Sequence, residues 1–226
     1  MNFFSRLFQT PKEKRLEGYS EFFDQMPLPG NTALNNIRFV ALDTETSGLN
    51  PNTDHILSIA AVAIKNGAIC LEDSFYRIIS HQKATQSISI HHITPTDSMS
   101  HGVTLEEAIE DFACWLKDAV LVGHHVAFDK SILSNALYRH HGLNLKNKAT
   151  DTALLAIRLF ESGLSRDQIK PSEYGLDKLA ERLQMPVFER HTAEGDTLTT
   201  AAVFLSLQQL ATKRGIKTLG SLLKSA

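Results

Sequence analysis

Cysteine is scarce in this sequence: 226 residues contain only Cys70 and Cys114. They do not form a C-x-x-C pair, which excludes the common cysteine-based zinc and redox motifs. One falls in a strand-like run and the other in a helical one, so we interpret both as reduced core thiols. The sequence also lacks an apolar run long enough to span a membrane, and its N-terminus lacks the features of a signal peptide. We therefore expect a cytoplasmic protein without a membrane span.

A strong excess of charge is also absent, since 23 Lys and Arg oppose 25 Asp and Glu, which gives a net charge of −2. This balance argues against a protein that coats nucleic acid through a broad basic field. It leaves open an enzyme that holds one strand end through metal ions. The length suffices for one large domain or two small ones.

Buried strands joined by short connections dominate the sequence from residue 37 onwards. Apolar runs predict strands at about 37–43 and 56–64. Asn66-Gly67 is a strong hairpin signal and leads into a third strand at about 68–79. Three strands with such short connections predict an antiparallel meander.

Strands and helices alternate in the second half of the chain. The segment 104–107 reads Thr-Leu-Glu-Glu, a capping box, and 120–123 is a short buried strand. Apolar periodicity predicts helices at about 105–116, 130–141, 151–160, 176–183 and 194–213. Together with the meander, this pattern predicts one α/β domain on a mixed sheet with helices on both faces.

Three segments are predicted along the chain: an N-terminal helical arm (1–36), a main domain (37–214) and a C-terminal tail (215–226). The arm carries two aromatic clusters and ends at the breaker Pro27-Leu28-Pro29-Gly30. Apolar residues at helical spacing usually pack on their own domain, which is the interpretation we favour. Docking on a partner protein or a membrane surface is the alternative.

Acidic residues stand where several of these elements begin or end. Asp43 and Glu45 are two residues apart at the end of the first strand, so their carboxylates point to the same side. Like charges that close favour a divalent cation between them, although two solvated acids at a strand end are the alternative. Asp129 and Asp196 each lie near a helix start, where an acid can also be a simple cap.

Acids at three such places can converge on a two-metal centre for phosphoryl chemistry. That chemistry also needs a base for the attacking water, and a histidine with a pKa near neutrality suits the role. His191 lies five residues before Asp196, on the segment that leads into the last helix.

Residues 43–49, 123–129 and 191–196 resemble, in order, the three motifs of the DnaQ-like (DEDDh) 3′–5′ exonucleases, and the resemblance extends over about 37–213. This family includes the proofreading epsilon subunit of bacterial replicative DNA polymerase. The resemblance implies a ribonuclease-H-like fold: a mixed five-stranded sheet, three strands antiparallel and the others parallel, with helices on both faces. The tyrosine branch of the superfamily has its tyrosine at the position of Thr192, so the histidine branch is the better match.

The resemblance also implies roles for individual residues. Asp43, Glu45, Asp129 and Asp196 would hold two Mg²⁺ or Mn²⁺ ions, with His191 as the general base and Glu45 also meeting the terminal 3′-hydroxyl. Leu49 would wedge against the last base. The implied substrate contacts are Thr44, Thr46, Gly48, Leu49, His91, Ile93 and Phe128.

Two positions depart from the family pattern. His125 stands where the family usually has an asparagine that braces the backbone, and His92 stands where it usually has a glycine. Taken singly, His91, His92, His124 and His125 are at least as well interpreted as hydrogen-bonded structural residues.

The function implied by the resemblance is release of nucleoside 5′-monophosphates from the 3′ end of single-stranded nucleic acid, with DNA favoured, in a proofreading or a stand-alone role. The implied partners are that 3′ end and a DNA polymerase or another replication or repair protein. Three alternatives stay open: an exoribonuclease or oligonucleotidase of the same fold, a small-nucleotide phosphodiesterase, and a non-catalytic module that binds strand ends.

Overall fold

A computed structural model describes residues 28–80, 102–161 and 168–224. The first 27 residues of the predicted arm lie outside the described residues. So do the predicted substrate contacts His91 and Ile93, and with them His92.

A five-stranded mixed sheet, in the order β3-β2-β1-β4-β5, forms the centre of the fold. β1 pairs antiparallel with β2, and β2 antiparallel with β3, whereas β1, β4 and β5 run parallel. This arrangement confirms the predicted sheet. The strands are β1 (Phe39–Thr46), β2 (Ile56–Lys65), β3 (Ala68–Ile78), β4 (Val120–Gly123) and β5 (Ala149–Asp151).

The predicted hairpin joins β2 to β3. Asn66 and Gly67 both have positive φ, +52° and +74°, as the two central residues of a type I′ turn require. β1 extends beyond its predicted end at Asp43 as far as Thr46, because β2 continues to pair with it down to Ile56. Asp43 and Glu45 therefore both belong to the strand itself.

Helices cover both faces of the sheet, as predicted. One core lies between the sheet and α1 and α2, and it contains Leu42 and Phe112. The other lies on the side of α3, α4, α5 and α6, where the rings of Phe39 and Phe204 are 5.0 Å apart. The helices are α1 (Leu105–Leu116), α2 (Val126–His141), α3 (Thr152–Phe160), α4 (Leu176–Leu183), α5 (Ala193–Lys213) and α6 (Leu219–Leu222).

The start of α2 differs from the prediction. The sequence predicts a helix from about Lys130, but α2 begins at Val126. His125 adopts the left-handed conformation, with φ +64°, which turns the chain sharply out of β4 into the helix. The N–H of Val126 then donates to Oδ2 of Asp151 at 3.0 Å. This cap comes from a residue 25 positions away, so no local signal marks the helix start.

The segments at the two ends of the described fold contact each other. Ala33 and Thr218 form an antiparallel bridge, and the N–H of Gly220 donates to the carbonyl of Gly30 at 2.7 Å. Leu34 and Leu219 are buried in the same core. The division of the chain into arm, domain and tail stays a prediction. Within the described ranges, no helix is both long and apolar enough to cross a membrane.

Candidate active site

Three of the predicted metal ligands converge at the end of β1. One carboxylate oxygen from each of Asp43, Glu45 and Asp196 lies within 4.8 Å of the other two. Side chains two residues apart share a face of a strand, so the two β1 acids continue the face on which Ala41 packs toward α5. α5 brings the third acid to this face.

A hydrogen bond fixes the position of α5 over the strand. Oγ1 of Thr197 donates to the carbonyl of Ala60 at 3.1 Å, and Ala60 is the β2 residue paired with Asp43. Asp196, the neighbour of Thr197, is only 9 % exposed. The first turn of the helix is therefore held directly beside the two acids of β1.

Asp129 approaches β1 from the side of β4. β4 pairs with β1 only as far as Ala41, and beyond that point Oδ1 of Asp129 accepts hydrogen bonds from Thr44. The backbone N–H of Thr44 donates at 3.1 Å and its hydroxyl at 2.7 Å. Asp129 lies outside the three-residue group but close enough to raise the pKa of Asp43. Thr44, which the resemblance implies as a substrate contact, is buried here and orients Asp129.

Burial and mutual repulsion raise the pKa of two of the acids, Asp43 and Asp129. Burial raises the pKa of Asp43 well above its usual value, and the charges of Asp129 and Glu45 raise it further. Burial also raises the pKa of Asp129 to about 7, against the lowering effect of its hydrogen bonds from Thr44. Buried, mutually repelling oxygen donors are the ligand set that hard divalent cations such as Mg²⁺ and Mn²⁺ prefer. The residues present therefore fit such ions.

A tight turn leads into α5. Oγ1 of Thr192 donates to the carbonyl of Glu189 at 2.8 Å and accepts from the N–H of Gly195 at 3.1 Å. A β-carbon at Gly195 would lie 1.8 Å from that same carbonyl oxygen, so the close approach requires glycine. His191 sits within the turn in the left-handed conformation, with φ +61°.

The two central side chains of the turn, those of Arg190 and His191, lie in different surroundings. The guanidinium of Arg190 contacts the carboxylate of Asp196 and also that of Asp177 on α4. The side chain of His191 is exposed, and no contact among the described residues brings it to the three acids. Sequence reasoning missed Arg190, although a basic residue directly before the third motif is the signal that could have drawn attention to it.

Residues 40–204 match the family model described as exonuclease. The chain belongs to this exonuclease family. The chain is 31 % identical to the DNA polymerase III PolC-type of Thermotoga maritima over 87 % of its own length, and 34 % identical to a DNA polymerase III subunit epsilon-like protein of Rhodobacter capsulatus over 85 %. It spans 14 % and 27 % of these two relatives.

Solved structures of similar fold include E. coli exonuclease I in complex with a dT13 oligonucleotide. The TM-score is 0.65 at 18 % identity, over 80 % of this chain and 43 % of that one. Exonuclease I from Methylocaldum szegediense gives a TM-score of 0.63 at 18 % identity, over 80 % and 43 %. These neighbours confirm the predicted fold, and the family match confirms the predicted membership of an exonuclease family.

The loop after β1 presents Leu49 at the surface of the exonuclease domain, where its side chain is 88 % exposed. Asp54 organises this loop by accepting from the hydroxyl of Ser47 at 3.0 Å and from the N–H of Asn50 at 2.7 Å. A β-carbon at Gly48 would lie 2.7 Å from the Asp54 carboxylate, so this glycine is needed for the shape of the loop.

The other predicted substrate contacts lie near this loop or on α2. Oγ1 of Thr46 donates to the carbonyl of Gly48 at 2.8 Å, and Phe128 is half-buried in the first turn of α2. α2 also braces the loop, since the side-chain amide of Asn135 donates to the carbonyl of Pro51 at 3.0 Å. Sequence reasoning missed Asp54, because an acid in a polar loop carries no distinctive local signal.

The paired histidines before α2 have different environments. Nδ1 of His124 lies 2.9 Å from Oγ1 of Thr152, and burial lowers the pKa of this histidine to about 4. His124 is therefore neutral at physiological pH and has the hydrogen-bonded character of a structural residue. His125 is exposed. Nearby, Asp151 caps both α2 and α3.

The raised pKa of Asp129 predicts how stability depends on pH in the metal-free protein. The folded state keeps this proton up to a pH of about 7, whereas the unfolded chain releases it near its usual value of 3.8. The folded state therefore binds more protons in this window, so this contribution to stability is present below about pH 4 and is lost as pH rises through about 7. We expect Asp129→Asn to remove a pH-dependent loss of about 2 kcal/mol or more.

Urea unfolding in EDTA at several pH values between 5 and 8 measures this effect. Asparagine keeps an oxygen that accepts from Thr44, so the variant changes the charge and little else. If the variant and the unaltered protein lose stability in parallel over this range, the buried acid does not control the slope.

Proposed function

We propose that this chain is a metal-dependent 3′–5′ exonuclease that shortens single-stranded nucleic acid, with DNA as the favoured substrate. The observation that carries the proposal is the convergence of Asp43, Glu45 and Asp196 beside the buried Asp129. A site of this kind has no evident structural purpose, because clustered carboxylates that repel one another destabilise a fold. The membership in an exonuclease family supports the same conclusion.

All four acids would contribute to the binding of two Mg²⁺ or Mn²⁺ ions. One carboxylate oxygen from each of Asp43, Glu45 and Asp196 lies close to the other two. The carboxylate of Asp129 is held in place by a hydrogen bond from the hydroxyl of Thr44. Such ions, when bound, would supply activation of a water and stabilisation of the leaving oxygen at the terminal phosphodiester.

His191 is the general base in this proposal and takes the proton from the attacking water. Its ring is exposed on the turn that leads into α5, five residues before Asp196. Histidine is the side chain that most often acts as a general base in enzymes. Glu45 would accept a hydrogen bond from the terminal 3′-hydroxyl and so orient the last nucleotide.

The loop after β1 supplies the contacts to the end of the strand. Leu49 offers an apolar side chain on which the last base can stack, and Phe128 lies on α2, the helix that braces this loop. Few other contacts are expected, because a net charge of −2 gives no long electrostatic track for a phosphate backbone. We therefore propose that the enzyme holds only a short stretch at the 3′ end.

The relatives support the proposed sugar and partner. Exonuclease I was solved with a dT13 oligonucleotide, and the sequence relatives are DNA polymerase III proteins. We therefore propose DNA as the substrate, a role in proofreading or repair together with a DNA polymerase or another replication protein, and a cytoplasmic location.

A cleavage assay with end-labelled strands tests the proposal. Single-stranded DNA and RNA of one sequence carry a 5′ label and are incubated with Mg²⁺, Mn²⁺ or EDTA, with Asp43→Asn as the inactive control. We expect a metal-dependent ladder that shortens from the 3′ end, faster on DNA than on RNA. A faster RNA ladder would replace DNA by RNA as the substrate. A folded protein that cuts neither strand would overturn the catalytic proposal in favour of an end-binding module.

A further inference from the structure

Arg190 places a positive charge beside the carboxylates that would bind metal ions in the proposed reaction. Its guanidinium contacts Oδ1 of Asp196, one of the three acids that converge on the site. The side chain of this arginine is 26 % exposed and that of Asp196 is 13 % exposed, so solvent screens the pair only partly. Part of the capacity of Asp196 to bind a metal is therefore already used within the protein.

A second acid holds the arginine from the other side. Nε of Arg190 pairs with Oδ1 of Asp177 on α4, whose side chain is 61 % exposed. The guanidinium thus bridges the acid of the metal site and an acid at the rim of the site. If another cation binds Asp196, Arg190 can keep its ion pair with Asp177.

The charge of Arg190 also acts beyond its direct partner. Burial, Asp129 and Glu45 all raise the pKa of Asp43, whereas Arg190 lowers it. The arginine therefore offsets part of the repulsion among the acids. A divalent cation would offset the same repulsion, so the two cations serve the same acids and compete for them.

The turn before α5 holds this arrangement in place. Thr192 bonds both Glu189 and Gly195, which flank Arg190 on either side along the chain. The contact between Arg190 and Asp196 spans only six residues across this braced turn. Arg190 is thus presented to the site by the same backbone that carries His191.

We propose that Arg190 is an internal counter-ion of the metal centre: it occupies Asp196 in the metal-free enzyme and yields that carboxylate when a divalent ion binds. This inference rests on the metal centre of the proposed function. As a consequence, we expect the unaltered enzyme to bind metal more weakly than an enzyme with the same acids and no arginine. We also expect the arginine to stabilise the site when metal is scarce.

Direct Mn²⁺ binding to Arg190→Met tests the proposal without any measurement of activity. Methionine keeps a long flexible side chain but removes the charge. We expect this variant to bind Mn²⁺ about tenfold more tightly, measured by the free-ion electron paramagnetic resonance signal. In EDTA its melting temperature should fall by about 2–4 °C, because the acids lose their counter-ion.

Arg182→Met is the matched control. This arginine lies on α4 and pairs with Glu161 at 3.6 Å, outside the group of acids. It should leave Mn²⁺ affinity as in the unaltered protein. If Arg190→Met binds Mn²⁺ no more tightly than Arg182→Met, the counter-ion proposal is wrong while the metal centre stands. If even the unaltered protein binds no Mn²⁺, the proposed metal centre fails, and the counter-ion proposal with it.

A second measurement uses the unaltered protein and does not depend on the folding of a variant. Arginine guanidinium Nη–H and Nε–H resonances are followed during a Mg²⁺ titration of ¹⁵N-labelled protein, with the Arg190 signals assigned by their loss in Arg190→Lys. We expect the Nη–H signal of Arg190 to shift, because Nη1 is the nitrogen that contacts Asp196. The Nε–H of Arg38, which donates to Asp73 at 3.0 Å, should stay in place as an internal reference. A stationary Arg190 signal at saturating Mg²⁺ would overturn the proposal.

Discussion

Replacing Asp43 by asparagine is expected to lower the rate of nucleotide release by at least about a thousandfold, because the site loses a charged ligand that cannot be supplied elsewhere. The substitution keeps the size of the side chain, so the fold around β1 should be retained. The rate is measured with a 5′-labelled single strand under saturating Mg²⁺. A variant that keeps a tenth of the activity would show that Asp43 is not a metal ligand.

The same substitution should make the metal-free protein more stable. Burial and the neighbouring acids raise the pKa of Asp43, which means that its charge is unfavourable in the folded state. A neutral amide removes that cost, and we expect the free energy of unfolding at pH 8 in EDTA to rise by about 1 kcal/mol or more. A loss of activity combined with a gain of stability is the signature of a residue kept for function.

Asp73→Asn provides a control of opposite sign. This acid pairs with Arg38 at 3.0 Å and Lys65 at 2.7 Å, and the hydrogen bond from Arg38 contributes most to lowering its pKa to about 2. Its neutralisation should therefore reduce stability and leave turnover unchanged. If both asparagine variants were destabilised, the repulsion described for the active site would be incorrect.

Replacing Gly195 by alanine should disrupt the active site through the backbone. The new β-carbon would lie 1.8 Å from the carbonyl oxygen of Glu189, which Thr192 holds in place with a hydrogen bond. Either the turn or the start of α5 must move, and we expect a loss of about 3 kcal/mol in the free energy of unfolding. Turnover should also fall by about a hundredfold, since a shift of 1 Å displaces Asp196 and His191.

Gly175→Ala is the matched control for this prediction. Gly175 precedes α4 with an ordinary φ of −61°, and no atom lies within 4 Å of a β-carbon placed there. The stability of this variant, measured by urea unfolding, should change by less than about 1 kcal/mol. Equal losses in the two variants would mean that the close approach at Gly195 carries no special cost.

Periodicity and turn chemistry were sufficient to predict most of the fold. The largely apolar strand β2 is buried at nine of its ten residues, as expected for a central strand covered on both faces. Asn66-Gly67 forms the predicted hairpin because few other residue pairs adopt two positive φ angles. The start of α2 could not be predicted, because its cap, Asp151, becomes a neighbour only after the sheet has formed.

Part of the geometry of the candidate site was also predictable. The two-residue spacing in β1 was enough to place Asp43 and Glu45 on one face, and the structure brings Asp196, which the resemblance also implied as a ligand, next to them. The roles of these residues stay predictions. The sequence could not reveal which of two adjacent side chains in the turn before α5 contacts Asp196. In the structure Arg190 makes this contact, in a turn where His191 is left-handed and Gly195 lies against the carbonyl of Glu189. Both depend on tertiary packing.

The contact between Gly30 and Gly220 has a consequence for how such a domain can be built into larger proteins. The first and last segments that the structure describes lie side by side, since these two residues share a hydrogen bond of 2.7 Å. A host polypeptide joined to the fold at these two points would therefore have almost no gap to bridge.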